Sequence, residues 1–100
     1  MPREQKRVPF LGEIVLKSGS GKCEARISDI SMGGCYIDTI ASFRVDENVA
    51  FDLVHPNGRS LPFTGDIAYI LEGFGFGVRF TDLSDEQTVF LERIVQSLGG

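Results

Sequence analysis

From Val8 to Phe80 apolar and polar residues alternate almost without interruption, the period-two pattern of strands half-buried against one core. Lys22 to Ser28 sets Cys23, Ala25 and Ile27 between polar neighbours. Val49, Phe51 and Leu53 share one face, as do Leu61, Phe63, Ile67 and Tyr69. Between Gly73 and Phe80 the pattern is clearest: Phe74, Phe76, Val78 and Phe80 point one way, and Gly73, Gly75, Gly77 and Arg79 the other. Glycines recurring on one face imply close backbone approach or strong curvature, as at a barrel corner. Ser18-Gly19-Ser20-Gly21 and Pro56-Asn57-Gly58 are turn signals between neighbouring strands. Six short strands so punctuated make a small barrel or sandwich.

The period changes once. Ser84 followed by Gln87 has the spacing of a capping box, and Asp85 and Glu86 complement the positive end of a helix dipole. Phe90, Leu91, Ile94, Val95 and Leu98 then recur at helical spacing, and Gly99-Gly100 ends the run. This predicts a terminal helix over 84–98 whose apolar face covers an open end of the β-structure. No repeat, linker or low-complexity tract divides the chain, so residues 1–100 read as one domain.

Catalytic chemistry finds few residues here. His55 is the one histidine, and its place beside Pro56-Asn57-Gly58 predicts an exposed turn residue. One histidine and two separated cysteines, Cys23 and Cys35, build no metal site. Ser31 has no histidine near it, and there is neither a nucleophile elbow nor a P-loop. The expectation is a protein that is not an enzyme and needs no cofactor or metal. The cysteines lie in alternating apolar segments, as buried thiols of a reducing compartment do, and the N-terminus lacks a signal-peptide stretch. No apolar run is long enough to cross a membrane as a helix. A cytoplasmic location is expected.

Charge narrows the ligand class. The net charge of −4 argues against a broad nucleic-acid footprint, yet Arg3, Lys6 and Arg7 gather at the N-terminus against Glu4 alone. A basic patch on an acidic protein suits a small anion better than a polymer. Arg3 and Arg7 form R-x-x-x-R just before the first strand. Two guanidiniums this close repel unless an anion lies between them, and each can fork onto a phosphate or the O6/N7 edge of guanine, or stack on a base. With Pro2 and Pro9 opposing regular pairing, residues 1–9 read as a clamp loop that orders on its ligand. A second cluster, Asp29-Ile30-Ser31-Met32-Gly33-Gly34, spells D-x-S-x-x-G-G between two strands. Its Asp and Ser can lock a turn, and its glycines permit positive φ. Equally, an ionised Asp29 can accept two hydrogen bonds from the N1–H and N2–H₂ edge of guanine, with Ser31 and Gly34 beside the same ligand.

R-x-x-x-R, then 22 positions from Arg7 to Asp29, then D-x-S-x-x-G-G, resembles the PilZ domain family. Gly75-Phe76-Gly77-Val78-Arg79-Phe80 looks like that family's G-x-G-V-x-F strand, so the resemblance spans nearly the whole chain. It implies a six-stranded antiparallel β-barrel over 10–80 with a clamp loop over 1–9 and a C-terminal helix over 84–98. It also implies a receptor for cyclic di-GMP, a bacterial second messenger. Arg3 and Arg7 would hold phosphate and guanine, while Asp29, Ser31, Gly33 and Gly34 would meet a guanine from the barrel surface. The bound surface would be passed to an unidentified partner protein, in pathways such as motility or biofilm formation. Two other classes stand beside it: a PilZ-fold interaction adaptor that does not bind the nucleotide, and a small barrel for single-stranded nucleic acid. The last predicts a basic groove with exposed aromatics, whereas these aromatics alternate inward and the net charge is negative.

Overall fold

The computed structural model describes residues 7–19 and 21–99. Six strands and one helix follow the alternation and its change of period. The strands are β1 (Val8–Ser18), β2 (Gly21–Ile30), β3 (Gly34–Asp38), β4 (Asn48–Val54), β5 (Ser60–Leu71) and β6 (Gly75–Phe80), and α1 spans Asp85–Gly99. All pairings are antiparallel, in the order β1-β2-β3-β6-β5-β4, and the sheet closes where Lys17 and Ser18 of β1 meet Ala50 and Val49 of β4. Closure removes both sheet edges.

The inward residues of every strand form one core with Phe90, Leu91 and Ile94 of α1. The helix is therefore bound to the barrel interior, as expected, packing against β1 and β5. Its start is the predicted capping box: Gln87 N–H donates to Ser84 Oγ at 3.1 Å, and Ser84 N–H to Gln87 Oε1 at 2.7 Å. Gln87 Nε2 also donates to the Pro62 carbonyl, which ties the cap to β5. Leu98 differs from expectation: it is 40% exposed, lying beyond the turn that faces the core.

Four further expectations are corrected. Phe74 is 71% exposed, because β6 begins only at Gly75 and Phe74 belongs to the preceding turn. His55 is half-buried rather than exposed. Its ring stands edge-on to Phe90 at 5.9 Å, and Nδ1 accepts the Asn57 N–H. The barrel begins at Val8 rather than residue 10: Val8 is buried and pairs with Ile30, and Pro9 pairs with Asp29. Pro9 does not bar this pairing because a register shift follows it, where ladder bonds are interrupted. Lastly, Gly33 and Gly34 are not positive-φ positions; Gly21 and Gly58 are, in the hairpin turns.

Gly34 serves a different end. A Cβ there would collide with the Val78 carbonyl oxygen, and one at Gly75 with the Ile37 carbonyl oxygen. Glycine lets β3 and β6 approach closely along their shared edge, the curvature expected of the glycine face.

Candidate functional site

Simple alternation would bury Asp29. Cys23, Ala25 and Ile27 face inward on β2, and the next residue of that parity is Asp29. The register shifts between Ile27 and Asp29, one residue bulges out, and Ile30 takes the buried place instead. A bulge re-aims every side chain beyond it. Here it turns a carboxylate onto the barrel's outer wall.

There Asp29 meets Arg7. Arg7 Nη2 lies 2.8 Å and Nε 3.0 Å from Asp29 Oδ1. Both donors fall on one oxygen, so Oδ2 takes neither. The pair is partly exposed, where an ion pair contributes little stability, about 0.2–1 kcal/mol. The sequence-predicted Arg7 and Asp29 thus come together at the start of β1 and the end of β2. Arg3 lies outside the described residues.

Ser31 is placed otherwise. It is 2% exposed, and its hydroxyl accepts the Gly33 and Gly34 N–H groups at 3.2 and 3.3 Å while facing the Gly34 carbonyl at 3.3 Å. Ser31 N–H donates to the same carbonyl at 2.8 Å, and the Gly33 carbonyl accepts Phe80 N–H at 2.9 Å. The D-x-S-x-x-G-G segment is therefore a locked β2–β3 turn fastened to β6, with Asp29 held at its entrance. Cys35, the first core residue after it, is fully buried, and burial pushes its thiol far above the usual value.

A second bulge lies in line with the first. Alternation puts Tyr69 inside with Phe63 and Ile67, but the register shifts between Ile67 and Tyr69. Ile70 turns to the core and Tyr69 turns outward, 46% exposed. Asp29 pairs with Tyr36, Tyr36 with Gly77, and Gly77 with Tyr69, so one row of the outer wall reads Asp29–Tyr36–Gly77–Tyr69. The two tyrosine rings stack, 6.4 Å between centroids at 30°. The Tyr36 phenol is pushed up by desolvation, then by Asp38, Tyr69 and Asp29. Arg79 stands on the same wall, paired with Gly34 and Asp66, exposed and in no ion pair among the described residues. Strict alternation places Tyr36 outward, between the inward Cys35 and Ile37, but hides Tyr69. The signal that finds Tyr69 is the three-residue spacing of Ile67 and Ile70, repeated around Asp29 in Ile27 and Ile30.

Among the described residues no cluster of His, Cys, Asp and Glu could hold a metal ion. What the wall offers is the Arg7 guanidinium, a carboxylate, the exposed Arg79 and two aromatic faces, the elements of recognition for a planar, anionic molecule.

The family profile described as PilZ domain matches residues 2–98. The chain belongs to the PilZ domain family. The family resemblance holds, and so does the six-stranded barrel it implied. Solved PilZ structures share the fold. The PilZ domain of YcgR from Escherichia coli, solved with c-di-GMP, superposes with a TM-score of 0.79 at 18% identity, covering 99% of this chain and 92% of that one. The PilZ domain of CeSA from a cellulose-synthesizing bacterium gives 0.72 at 21% identity, covering 95% and 99%. No curated protein matches significantly. Among the described residues no helix of this PilZ domain is long and apolar enough to cross a membrane.

Proposed function

We propose that this PilZ domain is a cyclic di-GMP receptor that hands its signal to a partner protein. The observation that carries the reading is the bulge that turns Asp29 onto the outer wall, into contact with Arg7. A carboxylate at that place is an acceptor for the N1–H and N2–H₂ edge of guanine, and Arg7 is a fork for phosphate. The two compete for each other until a ligand supplies both a phosphate and a guanine edge. Arg7 then moves to the phosphate, and Asp29 turns both oxygens to the base. Arg3, four positions upstream, is the second cation of the clamp. Ser31, Gly33 and Gly34 serve the site by locking the turn that presents Asp29. The YcgR PilZ domain solved with c-di-GMP supports the choice of ligand.

Binding draws the N-terminal segment across the wall and creates a surface that is part peptide and part nucleotide. A cytoplasmic partner recognises that surface only in the bound state. The reading makes the chain a binding module rather than an enzyme. Calorimetric titration with cyclic di-GMP tests it, with cyclic di-AMP as control. Saturable binding of the first and much weaker binding of the second is expected, since adenine lacks the N1–H and N2 amino donors. No heat from either nucleotide would remove the receptor function and favour a PilZ-fold adaptor.

A further inference from the structure

Tyr36 and Tyr69 belong to neither sequence motif, yet they occupy the same row of the outer wall as Asp29. A bulge is needed to put Tyr69 there, and a glycine is needed to keep it there. A Cβ at Gly77 would run into the Tyr69 ring at Cε2 and Cζ, so that ring lies down over the bare backbone of β6. One face of the ring is covered by the strand, and Tyr69 as a whole remains 46% exposed. Tyr36 stacks beside it, with Asp29 as its next neighbour in the row. The result is an aromatic shelf laid along the wall and ending at a carboxylate.

We infer that Tyr36 and Tyr69 are a stacking platform for a purine base of the ligand, the base whose edge meets Asp29. The inference rests on the receptor reading above and adds the surface on which that base lies. Adjacent strands stand about 4.8 Å apart. Asp29 is on β2, the Tyr36 Cα on β3, and the Tyr69 ring over β6. A fused purine stretched from the Asp29 carboxylate therefore passes over Tyr36 and reaches the Tyr69 ring. Stacking tolerates any base, because every base has a π-face, so the shelf supplies affinity and Asp29 supplies the choice. The Tyr36 hydroxyl, its phenol pushed up by desolvation and then by Asp38, Tyr69 and Asp29, remains a donor beside the same base.

The chain contains two tyrosines and no tryptophan, so its tyrosine emission reports on this shelf alone. The wild-type protein and its Tyr69→Leu and Tyr69→Phe variants are titrated with cyclic di-GMP by calorimetry, and wild-type tyrosine emission is followed in parallel. Far-UV circular dichroism and melting temperature establish that each variant is folded. Tyr69→Leu should weaken binding about tenfold or more. Tyr69→Phe, which keeps the ring, should bind within about twofold of wild type, and saturation should change the wild-type emission. A folded Tyr69→Leu that binds as tightly as wild type overturns the platform while leaving the receptor standing. Should that variant not fold, wild-type emission unchanged at calorimetric saturation overturns it equally. Absence of binding by wild type removes the receptor reading and the platform together.

Discussion

Arg7 and Asp29 are worth little to the fold and much to the proposed site, and this asymmetry can be measured. Their ion pair is partly exposed, so its loss should cost less than about 1 kcal/mol of stability. A charge-assisted contact to ligand is worth about 1.5–3 kcal/mol. Arg7→Ala is thus expected to leave the urea midpoint nearly unchanged while weakening cyclic di-GMP binding roughly tenfold to a hundredfold. The loss should exceed that of Arg3→Ala, because Arg7 adjoins the paired Val8 of β1. Asp29→Asn keeps the shape, but removes the charge and presents an amide, and it should narrow the preference over cyclic di-AMP. Equal binding by all three variants and wild type would refute the clamp. Gly34 is the reverse case. Its hydrogen faces the Val78 carbonyl, so its first duty is to the packing of β3 on β6.

At the scale of elements, α1 is part of the barrel's core and not an appendage. Phe90, Leu91 and Ile94 are fully or nearly buried, and each such burial contributes about 1.5–3 kcal/mol. Together they approach the whole stability of a small domain, about 5–15 kcal/mol. Deleting residues 84–100 is expected to give an aggregating or molten product, seen by size-exclusion chromatography and loss of the cooperative thermal transition. A monomer with an unchanged melting temperature would overturn the role given to the helix. Ser84→Ala, which removes only the cap, should cost about 1 kcal/mol. Helix and cap were legible because their signals are local: a Ser–Gln spacing and an apolar stripe. The six strands were legible for the same reason. The bulges were not, since one extra residue leaves composition untouched and inverts the parity beyond it. Alternation consequently misplaced Tyr69, and by the same logic would have buried Asp29; the acceptor chemistry of its carboxylate and the motif resemblance pointed that residue toward a ligand. Phe74 went astray differently, through a strand start two residues later than its pattern. Arg7 and the Ser31 turn could be read as motifs, but the hydroxyl's confinement within the turn depends on where β6 anchors Gly33.

For the molecule as a whole, electrostatics act in opposite senses at long and short range. The net charge of −4 repels a dianionic dinucleotide, while in the proposed site Arg7, Arg3 and Arg79, the last in no ion pair among the described residues, would attract it locally. The Debye length is about 10 Å at 0.1 M salt and about 3 Å at 1 M. The domain's radius of gyration is 12.8 Å, so carboxylates across the barrel are already screened at about 0.1 M. A contact at about 4 Å is not, and at an effective dielectric near 20 it is worth roughly 4 kcal/mol before desolvation. Salt added beyond about 0.1 M should therefore weaken the local attraction with little repulsion left to relieve, and affinity for cyclic di-GMP should fall from about 0.1 to 0.5 M. Arg7→Ala should flatten that dependence. Arg59→Ala should not, because Arg59 pairs with Glu86 at the start of α1 and takes no part in the wall around Asp29. Titrations of the three proteins across this range decide the matter: affinity that rises with salt, or a slope indifferent to Arg7, would mean that something other than the guanidinium holds the phosphates.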